Sequence, residues 1–421
     1  MFHARMRARL RVALVAALMP AASLAQAQTL SLDEALRLAG EQSPQLAAQR
    51  SGIAAAEQAI VSARELPDPK LFFGVDNLPV NGPQAYSLTE DFMTMRKIGV
   101  MQDFPRAEKR ELRQQLAERA AAREKLMLVD LRAALRRDVA TAWLQRYFAE
   151  RMGAVVAEQF AETQLQRDAL QASVKAGKAV PGDLLSIQLS MQSLLDRKAE
   201  FDKQAARAKA ALSRWLGQMS ERPLAQFTPP AVPADAGVLA DHIAHHPHVE
   251  SLDRQIDMAK AEAALARASV KPDWSLELAY AQRGPAYSNM VSVQVSLDLP
   301  LFQRNRQDRD IAARAAQIDQ AQQLKDDAIR QHLAEARAAW AEWEAANSRL
   351  KLFDESLLPL AQERVKTALA AYRGGRGDLA AVLMARRDVL DLKLQQAQLA
   401  QDGGLAYAQL LYFLPAKGED K

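Results

Sequence analysis

The chain is written twice. "SPQLAAQRSGIAAAEQAIVSAR", beginning at Ser43, returns as "HPHVESLDRQIDMAKAEAALAR", beginning at His246. Pro44 and Pro247 open the two segments, and Pro69 and Pro272 follow at equal spacing. "KIGVMQDFP" (97–105) then matches "SVQVSLDLP" (292–300), and "VPGDLLSIQ" (180–188) matches "GRGDLAAVL" (375–383), pairing Asp183 with Asp378. A duplication constrains a fold more than composition does, because both halves must build the same unit. The offset falls from about 203 residues before the paired strands to about 195 after them, a change that a loop between strands absorbs cheaply.

Each half reads in one order. A helix runs from Ser31 to about Arg64, and again from about Leu239 to Arg267. A strand follows, from Lys70 or from Trp274, then a loop rich in Gly, Pro, Asn and Tyr, then a returning strand. Trp274, Leu276, Leu278 and Tyr280 alternate with small and polar residues, as do Val293, Val295, Leu297 and Leu299. A period of two marks a strand with one apolar and one polar face. Pro105 and Pro300 stand where a long helix is expected to start. No proline lies between Pro105 and Pro181, which predicts a helix of about 70 residues and about 105 Å. The chain turns at 176–182 and returns as helix to about Trp215. The second half turns at 373–377 and returns to about Phe413. The expected organisation is a signal segment 1–27, a first repeat 28–221, a linker 222–238 and a second repeat 239–421. The hairpins fall at about 70–104 and 273–299, and the long helices at about 106–216 and 300–413.

The first 27 residues combine Arg5, Arg7, Arg9 and Arg11 with an apolar run from Val12 to Leu18 and an Ala25-Gln26-Ala27 cleavage site, the pattern of a secretory signal peptide. Those four Arg account for the formal net charge of +4, so the exported chain is near neutral and its charge gives no reason to expect nucleic acid. There is no Cys, so neither disulfides nor a Cys-linked lipid can hold it. No later stretch approaches eighteen apolar residues, so entry into a membrane would have to be by strands. Four strands are too few to close a membrane barrel, so a lipid-facing reading requires several copies to share one: eight strands from two, twelve from three. Alternation does not distinguish lipid from a protein core, and a small soluble sheet packed on the helices is the competing arrangement.

The ordered set, from signal peptide and "DEAL…SPQL" helix through hairpins ending in "QDFP" and "LDLP" to long helix and G-D-L turn, all duplicated, resembles the TolC-type outer-membrane efflux proteins. "TEDFMTMRKIGVMQDFPRAEKR", from Thr89, is most similar to their heavy-metal (Czc/Cus-type) branch. The resemblance implies a mainly α protein with a small β part. Three copies would share a twelve-stranded outer-membrane barrel continued by a helical barrel in the periplasm, with residues 222–237 in an equatorial girdle. It also implies partners, namely outer-membrane lipid, a periplasmic adaptor (membrane fusion) protein and an inner-membrane pump. The implied role is a passive exit duct for heavy-metal cations (copper/silver or cobalt/zinc/cadmium), or the same duct for drugs. A soluble periplasmic coiled-coil adaptor or scaffold is the alternative from a different class.

The chemistry fits a passive role. "AGKA" (176–179) lacks the frame of a phosphate-binding loop, no H-E-x-x-H is present, and no acid, base and nucleophile set stands out, so neither an enzyme nor a cofactor is expected. The candidate positions are therefore geometric. The turns place Gly177, Lys178, Pro181, Gly182 and Leu184, with Gly374, Gly375, Arg376, Gly377 and Leu379, at the helix tips that would meet an adaptor. Asp183 and Asp378 either cap the returning helices or form a carboxylate gate. Asp378 matches the aspartate of the family's second-repeat tip, but the companion acid expected three residues on is Ala381. His242, His245 and His246 have a spacing that can gather metal ligands, though Pro247 interrupts the helix; Met93, Met95 and Met101 are soft-metal candidates. Trp340 and Trp343 are expected to pack.

Overall fold

The computed structural model describes residues 29–177, 180–228 and 236–414. The signal segment and part of the linker lie outside them. In chain order the first repeat gives α1 (Leu32–Gln42), α2 (Pro44–Arg64), β1 (Lys70–Asp76), β2 (Met95–Phe104), α3 (Ala107–Lys175) and α4 (Pro181–Leu216). The second gives α5 (Ala236–Ala244), α6 (Pro247–Ala268), β3 (Trp274–Gln282), β4 (Met290–Leu297), α7 (Gln307–Leu352), α8 (Leu358–Arg373) and α9 (Leu379–Phe413).

The single helices expected at each repeat's start are broken before a proline, at Ser43 and His246. A proline disfavours helical backbone in the residue before it but suits the first position of the next helix. The predicted long helix is present as α3, whose 69 residues span about 104 Å. Its counterpart starts later than Pro300. Leu301 and Phe302 stand exposed, a short 3-10 turn at Gln303–Asn305 intervenes, and Arg306 at φ −124 and ψ −87 breaks the helical path. This counterpart also widens to one π turn at Phe353–Leu357, where the Leu358 N–H donates to the Phe353 carbonyl. The turn directly precedes Pro359, whose ring has no N–H to give and crowds the preceding turn; the wider turn takes up the misfit.

The helices pack in a different order at the two ends. Near the sheet, α2 packs on α3, α3 on α6 and α6 on α7. At the far end α3 packs on α4 and α9, and α9 also on α7 and α8. The strands repeat the near order, β1-β2-β3-β4, all antiparallel. The length difference between repeats sits in the hairpin turns, 77–94 against 283–289. The largest core lies midway, where Trp143, Leu144, Phe148, Leu212 and Leu216 gather around Leu30. There the Trp143 indole N–H donates to the Leu30 carbonyl at 3.2 Å, and Leu30 pairs with Leu224. The described part of the linker packs at this core through Leu224 and Phe227.

Candidate functional site

The register fixes which side chains share a face of the sheet. Trp274, Leu276, Leu278 and Tyr280 stand opposite Leu297, Val295, Val293 and Val291 on one side, and Phe104, Gln102, Val100 and Ile98 on the other. Leu71 and Phe73 of β1 continue the row against Val100 and Ile98. This face is exposed: Phe73 is 81% accessible, Val293 66% and Val295 65%. The sheet's contacts are chiefly strand to strand, and its apolar face is turned to the outside, so it is not the face of a soluble sheet resting on the helices. Leu299 is equally exposed but lies past the end of β4.

The other face is polar and small: Lys97, Gly99, Ser275, Glu277, Ala279, Ser292, Gln294 and Ser296. Lys97 sits 2.9 Å from Glu277 and 3.9 Å from Asp76. Phe72 lies within this face, and a Cβ at Gly99 opposite would come 2.5 Å from its ring, 2.7 Å from the Leu278 carbonyl and 2.8 Å from Ala279. The hairpins are fixed to the helices by Asp273. It accepts from the Arg106 backbone N–H at 3.0 Å and from Lys109 at 2.9 Å, tying the foot of β3 to the head of α3.

At the opposite end, the connections are equal, residues 176–180 and 374–378, and each is turned by one glycine with positive φ, Gly177 at 67° and Gly375 at 69°. The two aspartates differ. Asp378 caps α9, accepting from the Ala381 N–H at 2.8 Å. Asp183 caps nothing: α4 already starts at Pro181, so Asp183 lies in its first turn, with Val180 at the cap position. Gly377 is tight, 3.2 Å from Ala371 for an added Cβ, whereas Gly182 has open space. Arg376 and Pro181 are exposed, and Lys178 lies outside the described residues. Leu379 was expected to offer contact but is buried with Leu170 and Ile187 in a small tip core, against which Leu184 packs. The apolar side chains that project here include Val180, Leu185, Leu189 and Met384, the last two lining a cleft of about 560 Å³ between α4 and α9 that Asp183, Arg197 and Arg387 also line.

The proposed metal ligands are not brought together. His245 is largely exposed, its nearest acid Glu250 at 4.0 Å, and His242 borders a cavity. His246 is buried and both its ring nitrogens are engaged: Nδ1 accepts from the His248 N–H at 3.3 Å, and Nε2 lies 2.9 Å from the Tyr412 carbonyl. Met93 sits in the 77–94 loop, while Met95 and Met101 share the polar sheet face six positions apart, about 20 Å. Among the described residues no three His, Asp or Glu side chains converge as a metal centre. The sequence reading missed a contact of His248 with His332, whose Nδ1 and Nε2 lie 2.8 Å apart. His248 belongs to the same "HHPHVE" string, but nothing in the spacing links it to position 332. Trp340 and Trp343 pack against Ile243, Leu410 and Phe413, as expected.

Residues 238–414 match the family model "Outer membrane efflux protein", a match that falls on the second repeat. No curated protein matched in the sequence search. Solved structures match over both repeats. CusC is 17% identical, with 90% of each chain covered and a TM-score of 0.77. The outer membrane channel CmeC of Campylobacter jejuni is 12% identical, over 91% of this chain and 85% of that one, at 0.78. The outer membrane protein VceC of Vibrio cholerae is 18% identical, over 90% and 95%, at 0.71. The resemblance to TolC-type outer-membrane efflux proteins therefore holds, and the fold is theirs: a helical barrel segment carrying a small antiparallel sheet.

Proposed function

We propose that three copies of this chain pool their sheets into one twelve-stranded barrel in the outer membrane, and that their helices continue it as a tunnel through the periplasm. The observation that carries this is the exposed apolar face of a four-stranded sheet with two open edges, β1 and β4. In lipid every backbone N–H and carbonyl at those edges needs a partner, and only another copy's strand supplies one. Strands of 7 to 10 residues, tilted as in membrane barrels, cover a band about 18–25 Å tall, the longest reaching the height of the apolar belt of such barrels. The polar face then lines the bore.

The duct is the exit stage of a tripartite exporter. An inner-membrane pump supplies the energy, and a periplasmic adaptor docks at the helix tips. The cleft between α4 and α9, with Leu185, Leu189 and Met384 projecting beside it, supports that docking. For cargo we favour heavy-metal cations, on the Czc/Cus-type likeness of the segment from Thr89 to Arg110. The fold does not separate cargoes, since CusC, CmeC and VceC match it alike. Asp378 caps α9 through Oδ1, so a gate built on it would use a carboxylate that the cap already holds in place. Export assays decide the cargo: cells lacking the protein should lose tolerance to copper, silver, zinc or cobalt. Hypersensitivity to antibiotics alone would overturn the metal reading.

A further inference from the structure

The duplication leaves one buried polar cluster without a counterpart. In the first repeat Ser43 caps α2, its Oγ accepting from the Leu46 N–H at 3.3 Å. The equivalent cap in the second repeat is an imidazole, His246, 3% exposed. Around it four helices bring their polar groups together. From α7 comes His332, 6% exposed, with its Nε2 2.8 Å from His248 Nδ1 and its Nδ1 3.4 Å from a Glu335 oxygen. From α9 comes Tyr412, whose carbonyl meets His246 and whose hydroxyl donates to Asp130 of α3 at 2.7 Å. Arg137, also of α3, lies 5.0 Å over the Tyr412 ring. A cavity on the other side of His246 is bordered by His242 and His245, by Arg132 and Arg136 of α3, and by Arg37, Glu41 and Arg50 of α1 and α2.

We propose that His246, His248 and His332 form a proton-operated joint at the equator, which holds α6 to α7 and α9 at neutral pH and loosens in acid. The hydrogen bonding is complete only with His246 and His332 neutral. Glu335, as a carboxylate, accepts from His332 Nδ1–H, which leaves His332 Nε2 as the acceptor for His248 Nδ1–H. A proton on His332 Nε2 sets two N–H groups against each other at 2.8 Å, and a proton on His246 Nδ1 removes the cap of α6. Burial holds both His246 and His332 below the ordinary imidazole value, against the opposing pull of the Tyr412 carbonyl and of Glu335. The sign follows. The unfolded rings bind protons first, so the stabilisation is complete above about pH 6.5 and is lost as pH falls through the depressed values. The first repeat, with Ser43 in place of His246, has no such dependence.

Hydrogen exchange on the assembled channel in detergent tests this at about pH 7.5 and about pH 5, either side of the imidazole range. After correction for intrinsic rates, residues 242–252 and 404–414 should exchange about tenfold faster in acid, the effect of losing one neutral hydrogen bond. The equivalent first-repeat residues 39–49 should not change, and His246→Ser with His332→Gln should abolish the acid effect. Equal loosening of both repeats, no loosening, or an unchanged acid effect in the double variant would overturn the proposal. So would loosening at neutral pH on adding EDTA, because a bridging metal would then be the fastener. If the double variant fails to assemble, the comparison of the two wild-type repeats decides alone.

Discussion

The two repeats share a blueprint and differ where it is put to use. Each has a helix broken at a proline, a hairpin, a helix of tunnel length and a five-residue tip. Yet the first half runs through α3 without a break, while the second reaches the same tip by way of a late start and a π turn before Pro359. The first caps α4 with no side chain and the second caps α9 with Asp378. The first fastens its equator with a serine and the second with histidines. A duplicated sequence therefore fixes the path of the backbone, while single substitutions set how firmly each half is held.

Substitutions can break or sharpen this comparison. The largest effect is expected in the sheet, where Gly99 of β2 meets β3 across the boundary between repeats. Gly99→Leu drives a side chain into Phe72 and into the Leu278 backbone, so barrels should fail to form in the outer-membrane fraction. Removing the ring with Phe72→Ala should not rescue them, because the backbone clash remains. Gly74 of β1 has open space, and Gly74→Ala should insert normally.

Next come the tips. Gly377→Trp crowds Ala371 and should abolish efflux while oligomers still reach the membrane; undiminished export would remove the tip from the mechanism. Gly182→Trp, in open space, should cost far less. A smaller effect is expected for Asp378→Ala, which removes a cap and should destabilise the α8–α9 end by about 1 kcal/mol in thermal unfolding. The smallest is Asp183→Ala, which forfeits only a carboxylate near a helix N-terminus, about 0.3–1 kcal/mol. Equal losses for the two aspartates would mean that the tips are alike after all.

How much of this was legible in advance follows the range of each signal. Periodicity and proline placement are local, so the strands, the long helix and the tip turns could be read directly. The pairing of β2 with β3 could not, since Gly99 and Ala279 meet only once both halves are folded. The same holds for Lys109 with Asp273 and for His248 with His332, each joining residues far apart in the chain. The reading of Asp183 as a cap failed because Pro181 starts its helix two residues early. The reading of Leu379 as a contact residue failed because helical spacing directs it into the tip core with Ile187. The late start of α7 has no signal at Pro300 itself, which looks the same as Pro105.

The central claim is that the alternating face of the sheet meets lipid and the opposite face meets water. Spin labels at Val293→Cys and Gln294→Cys, neighbours on β4 that point to opposite faces, read this directly through collision with oxygen and with a water-soluble nickel chelate in reconstituted bilayers. The account predicts that the label at 293 collides mainly with oxygen and the label at 294 mainly with the chelate, with the same alternation at 295 and 296. Labels that met only water at both positions, on a chain that stayed dissolved as single copies without detergent, would contradict it.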